Sequence, residues 1–181
     1  MYMFTDGFME IKVPSDVKVE QNANTLTIKG KLGSNTFTYN DALVSVKVGS
    51  GTIGVEQIES KKLARKSSNL VNTIAKEIQN NINGVNEYYE RKMAMIFVHF
   101  PTTVEVNGGT VVINNLFGER SSRMARIMGS TKVEVKGHDI RVYGISLEDV
   151  TQTAANIKGA CKARHKDNRI FQDGIYYAIE E

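Results

Sequence analysis

VSVKVGSGTIGV, Val44–Val55, and TKVEVKGHDIRV, Thr131–Val142, are the two stretches whose reading decides the fold. Each alternates apolar and polar residues, breaks at a glycine-bearing turn and alternates again, and the two align at an offset of 87. Alternation with period two is the mark of a half-buried strand, so each stretch reads as strand, turn and strand. A competing reading exists for the first copy, because Gly49–Gly54, GSGTIG, satisfies the dinucleotide fingerprint G-x-G-x-x-G after a strand and ahead of a helix. The second copy argues against it, being an ordinary hairpin of identical length. Moreover, the position about 20 residues on, where an acid should meet a ribose, falls inside a long helical run.

Working outward, the offset of 87 also aligns Ile11, Val13 and Pro14 with Val98, Phe100 and Pro101, and Val17 and Val19 with Val104 and Val106. Between these blocks Thr25, Ile28 and Gly33 match Thr110, Ile113 and Gly118 at an offset of 85. A register that survives one small deletion is the signature of an internal duplication. Each half reads as several short strands followed by one helix. In the first, the run from Gln57 to Asn83 lacks Gly and Pro and carries Leu63, Leu70, Ile74, Ile78 and Ile82 as one stripe, with Lys61, Lys62, Arg65 and Lys66 in its first half and Gly84 as a stop. In the second, SLED places Ser146 three residues before Asp149 as a helix cap, and Val150, Ala154, Ile157 and Cys161 continue a stripe. Strands first and a helix afterwards define an α+β class, with a mainly antiparallel sheet and one helix on a face, twice over. The boundary is placed near Gly84, giving an N-terminal domain at 1–83 and a C-terminal domain at 84–181. No Pro-rich or Gly/Ser-rich linker separates them, which predicts a fairly fixed junction.

The chain of 181 residues is 41% apolar and 24% charged, close to the averages of globular proteins. No window approaches the roughly 18 uninterrupted apolar residues of a membrane span, and MYMFTDGFMEIKVP has no secretory pattern, so a soluble, unsecreted protein with no membrane partner is expected. The single cysteine, Cys161, cannot form an intramolecular disulfide and agrees with a reducing compartment. Cys161 and His165 are one helical turn apart, yet two groups do not make a zinc site, and His99 and His138 fall on predicted strands. Cys161 therefore reads as a small core residue and His165 as a polar tail residue. No nucleophile elbow, phosphate loop or paired acids in a glycine-flanked loop is found, so neither catalysis nor a cofactor is expected.

The net charge of +3 is mild, with ten basic and eight acidic residues before Gly84 and thirteen against twelve from there on. Phosphate neutralisation depends on the charges that face the backbone, not on the molecular sum. KGACKARHKDNR, residues 158–169, is the densest positive stretch, with Lys158, Lys162, Arg164, Lys166 and Arg169 against the single acid Asp167. Phe171, Tyr176 and Tyr177 follow, able to stack on unpaired bases or to pack with Ile170, Ile175 and Ile179 in a strand. A second group, GERSSRMAR, brings Arg120, Arg123 and Arg126 around a turn and a strand start, where guanidinium forks fit phosphate. The pattern predicts RNA binding centred on the second half.

Several segments carry a family resemblance: EIKVP at Glu10–Pro14, INGV at Ile82–Val85 followed by YERKM, HFP at His99–Pro101, TKVEVKG, GISLEDVTQTAANI at Gly144–Ile157, and FQDGIY at Phe171–Tyr176. On these the chain resembles the archaeal and eukaryotic branch of the large-subunit ribosomal protein L-six family. The resemblance spans nearly the whole chain. It implies two similar α+β domains that arose by duplication. It further implies a non-enzymatic role in the large subunit, bound to large-subunit ribosomal RNA chiefly through the second domain, near the stalk base and the region where translation factors dock. Neighbouring large-subunit ribosomal proteins would be partners, and the location a cytoplasmic ribosome. Carried over by residue, the basic tail of the family falls on Lys162, Arg164, His165, Lys166 and Arg169. Relatives usually show a denser basic run ending in Asp-Pro-Arg, which His165, Lys166, Asp167, Asn168 and Arg169 replace here. A stand-alone RNA-binding or regulatory module outside the ribosome is the second reading, and an enzyme using the GSGTIG loop the third.

Overall fold

Alternating strands with glycine turns need partners for their backbone groups, and the chain supplies them within each half. A computed structural model describes residues 4–5, 8–49, 51–58, 64–164, 166–167 and 169–178. The chain divides into two compact units, residues 1–88 and 89–181.

In the first unit β1 (Phe4–Thr5), β2 (Phe8–Lys12), β3 (Lys18–Asn22), β4 (Thr25–Gly30), β5 (Gly33–Thr38), β6 (Val44–Val48) and β7 (Thr52–Gln57) precede α1 (Ala64–Gly84). They form one sheet in the order β1-β2-β7-β6 and another in the order β3-β4-β5, with antiparallel pairing throughout. Val46 faces Val55 and Val48 faces Ile53 across the hairpin, and Gly49 N–H donates to the Thr52 carbonyl at 2.8 Å. Gly51 takes φ 92, so GSGTIG is a hairpin turn and not the start of a nucleotide loop. The helix starts later than its Gly-free and Pro-free run predicts, because Gln57 completes β7. Lys61, Lys62 and Leu63 lie outside the described residues. Ile74, Ile78 and Ile82 are buried against Ile11, Leu26, Ile28, Ile53 and Val55, each Ile side chain contributing about 1.5–3 kcal/mol. Just past the helix, the Val85 carbonyl accepts from Leu32 N–H at 3.0 Å. That approach explains Gly30, where a Cβ would meet the Val85 side chain at 2.7 Å and its carbonyl oxygen at 2.8 Å.

The second unit holds β8 (Tyr89–Ile96), β9 (Thr103–Asn107), β10 (Thr110–Asn114), a 3-10 turn at Leu116–Gly118, β11 (Arg123–Arg126), β12 (Lys132–Lys136), β13 (Asp139–Gly144), α2 (Leu147–Ala160) and β14 (Gly174–Tyr177). Its sheets run β12-β13-β8-β14 and β11-β10-β9, again antiparallel. Ser146 caps α2, its hydroxyl accepting from Asp149 N–H at 3.3 Å, and Val150, Ala154, Ile157 and Cys161 are buried as one stripe. The α+β class and its duplication are therefore present in the fold.

Strand registers correct part of the internal alignment. Ile11 faces Ile53 and Met93 faces Ile140, so Met93 is the equivalent of Ile11 and is equally buried. Val98, matched to Ile11 by sequence, lies beyond β8 and is 75% exposed. Likewise Asn22 faces Thr25 and Asn107 faces Thr110, which pairs Val19 with Val104 and Val17 with Thr102 at an offset of 85. Val13 and Met95 make equivalent backbone bonds, to the carbonyls of Gly51 and His138. Six residues then separate Met95 from Thr102, against three between Val13 and Val17. The shared proline had drawn the alignment across this longer link. His99 and His138 are not on strands either: His99 follows β8, and His138 sits in the turn between β12 and β13 with its ring stacked on Phe97 at 5.1 Å.

One difference between the units positions the site. The outer strand beside β2 is β1, which precedes it in the chain, whereas the outer strand beside β8 is β14, which follows α2. After α2 the chain must therefore return to the sheet edge, and the basic stretch lies on that return path.

Candidate nucleic-acid interface

The last turn of a helix leaves carbonyls without internal partners. At the end of α2 these are met by Arg123 from β11, whose Nη1 donates to the carbonyls of Ala160 at 2.8 Å and Lys162 at 2.7 Å. The other edge of the guanidinium grips Glu119, Nε to Oε2 at 2.8 Å and Nη2 to Oε1 at 2.6 Å, and its carbon lies 5.4 Å from the centre of the Phe117 ring. Arg123 therefore spends four N–H groups inside the protein and its side chain is only 14% exposed. The hydrogen bond from Arg123 holds the Glu119 carboxyl below its ordinary range against the opposing effect of burial, with weaker attraction from Lys166 and Arg164.

Beyond this clasp the cations face solvent. Lys158, Lys162, Arg164, Lys166 and Arg169 are all exposed, as are Arg120 and Arg126. His165 lies outside the described residues. Arg169 binds Asp167 through Nη2 to Oδ2 at 2.9 Å and Nε to Oδ1 at 3.1 Å, and its backbone N–H donates to the same Oδ1. With 90% of the Arg169 side chain in water, this pair is screened and exchangeable for phosphate. Two lysines lie on aromatic faces, Lys158 Nζ 4.6 Å from the Tyr177 ring centre and Lys166 Nζ 4.6 Å from that of Phe171. Arg126 stands apart, at the end of β11, where its carbonyl accepts from Asn156 of α2 at 3.0 Å. The fold thus gathers Lys162, Arg164, Lys166, Arg169 and Phe171 on one return segment, sets Lys158 in the last turn of α2 just before it, brings the Glu119–Arg120 loop to it, and turns Arg123 inward.

Sequence reasoning missed Glu119, His99 and Asp173. Asp173 is buried, and its Oδ1 accepts from Val98 N–H at 2.8 Å and lies 3.4 Å from His99 Nδ1. Burial pushes this carboxyl up, but the donors on Val98 and His99 together outweigh it and hold it below its ordinary value. The pair ties the return segment to the longer link after β8, and the His99 ring packs on Phe171 at 5.2 Å. Only the four-residue spacing from Glu119 to Arg123 hinted at any of this. Cys161 is buried at the end of the stripe, and burial pushes its thiol up to about 11. Among the described residues no group of three or more His, Cys, Asp or Glu could hold a metal ion.

The fold and site define a class: an internally duplicated α+β protein whose second unit exposes a cationic and aromatic segment between its helix and its sheet edge. The chain belongs to the family described as Ribosomal protein L6, whose profile matches residues 100–174. It is 41% identical over 175 residues to the large ribosomal subunit protein uL6 of Methanocella arvoryzae, covering 96% of this chain and 97% of that protein. The uL6 of Methanosarcina mazei is 42% identical over 168 residues, 92% and 93% of the two chains, and that of Staphylothermus marinus 42% over 174 residues, 93% and 92%. The family is structural and non-enzymatic.

Proposed function

We propose that this chain is a structural constituent of the large ribosomal subunit that binds large-subunit ribosomal RNA. The contact is made chiefly through its second unit, near the stalk base and the region where translation factors dock. On this reading its partners are that RNA and neighbouring large-subunit ribosomal proteins, with translation factors nearby, and it works in the cytoplasmic ribosome without a cofactor. Relatives matching almost its full length are named as large ribosomal subunit proteins. The observation that carries the RNA reading is the run of exposed cations from Lys158 in the last turn of α2 through Lys162, Arg164, Lys166 and Arg169 on the path to β14, beside Phe171. Each cation that meets a phosphate releases counterions, and aromatic rings beside them offer stacking faces. Arg120 extends the charge, Arg126 offers a separate exposed cation at the end of β11, and Arg123 holds the segment in place.

Co-sedimentation of the native protein with large ribosomal subunits tests the assignment. Expected is a position with the large subunit that is lost as salt is raised. A protein that binds RNA but stays out of the subunit peak would instead be a stand-alone RNA-binding module.

A further inference from the structure

Between the end of α2 and the return segment lies a cleft of about 650 Å³, a size that holds a small organic molecule. One wall is helix, where Ala155 and Gly159 leave room, since a Cβ built on Gly159 meets no atom within 4 Å. Phe171 and Tyr177 supply aromatic surface, and Lys158 and Lys162 add cations to the lining. Asp173 lines it as well, and its buried Oδ2 has no hydrogen-bond partner among the described residues, although Oδ1 is used. A buried carboxylate oxygen requires a donor.

We infer that this cleft takes a single unpaired nucleotide of the bound RNA, with a base that carries an exocyclic amino group. The inference rests on the RNA-binding reading above and specifies how one part of that surface works. Apolar and aromatic walls favour a base, and lysines favour the phosphate attached to it. The lysine on Tyr177 is displaced readily, because a base stacked on an aromatic ring is held more strongly than a surface cation–π contact, and the freed ammonium then meets phosphate. The amino group supplies the donor that Asp173 Oδ2 lacks, a pairing that carboxylates make with the cytosine amino group in base readout. Uracil has no such group.

The test uses the full chain, large-subunit RNA and the four nucleoside 5′-monophosphates. Gly159→Leu fills the cleft without removing a charge and suits a helix. It should weaken RNA binding about tenfold to a hundredfold, as loss of one stacked base does, at an unchanged salt slope. In the wild type AMP, GMP and CMP should shift the amide resonances of Ala155, Gly159 and Ile175 more than UMP does. Asp173→Asn keeps an acceptor for Val98 and puts an amide donor where the unpartnered Oδ2 stands, so it should move the preference toward UMP. If Gly159→Leu is folded and binds RNA like the wild type, and no nucleotide shifts the cleft resonances, the cleft inference is overturned while the RNA-binding reading stands. That result is also the one expected if a protein side chain fills the cleft. Absence of salt-dependent RNA binding by the wild type would defeat the underlying reading itself.

Discussion

Arg123 Nη2 lies 2.6 Å from Glu119 Oε1 and Nε lies 2.8 Å from Oε2, a two-bond fork that leaves Nη1 free to meet the carbonyls of Ala160 and Lys162. Of the three arginines in GERSSRMAR, the one in the middle is thus an internal clasp for the helix end. Arg123→Met should lower stability by about 2–3 kcal/mol in urea unfolding, the range for lost hydrogen bonds to a charged group. The slope of log RNA affinity against log salt should change by less than about 0.7, the share of a single neutralised phosphate. A flattening of that size or more at unchanged stability would make Arg123 a phosphate ligand instead.

The same fork predicts a pH dependence. Arg123 lowers the Glu119 carboxyl below its ordinary value of 4.5, so the folded state favours the ionised form. Stabilisation from this group is then complete above the unfolded value and is lost as pH falls through the folded one. Unfolding free energies measured from pH 7 downward should fall below about pH 4.5 less steeply in Glu119→Gln than in the wild type. Parallel profiles would show that the fork contributes nothing to acid sensitivity.

Four exposed cations on the return segment should act through counterions. Replacing Lys162, Arg164, Lys166 and Arg169 by alanine should flatten the plot of log affinity against log salt by roughly three to four units, at about 0.7–0.9 for each phosphate neutralised. The weakening should be similar for different RNA sequences. Circular dichroism should be unchanged, because these side chains lie past the buried stripe that ends at Cys161. Should the folded variant keep the parental slope on large-subunit RNA, the segment is only a solvated helix end.

Residues 89–181 hold this segment and the Arg120 loop, and should retain most RNA affinity as a fragment, whereas residues 1–88 should retain little. Filter binding at matched salt decides it, and equal affinities would move the interface out of the second unit.

Cys161 offers a control on the chemistry. With its thiol pushed up to about 11 by burial, it should react with a thiol reagent at pH 8 only as fast as the second unit opens. Cys161→Ala should leave RNA binding and metal content as they are and cost about 1 kcal/mol of stability. Zinc released by this substitution would require a metal site after all.

Short-range periodicity carried the elements into the sequence. Val46 and Val55, or Ile78 and Ile82, sit in patterns that recur at two- and four-residue spacings because a strand and a helix each repeat over a few residues, so hairpins, helix stripes and the Ser146 cap were legible there. The duplication was legible for the same reason wherever hairpin lengths are equal. Equivalence of Ile11 with Met93 was not, because register is set by pairing with Ile53 and Ile140, far away in the chain, while the matched prolines lie in links of unequal length. The cationic residues of the tail were visible as composition, but their roles were decided by tertiary structure. Arg120, Arg123 and Arg126 are the same residue type within seven positions, and only the arrival of the α2 carboxyl end beside β11 turns Arg123 inward. Asp173 and His99 meet across 74 residues, and they do so because β14, following the helix, closes the sheet edge that β1 closes in the first unit.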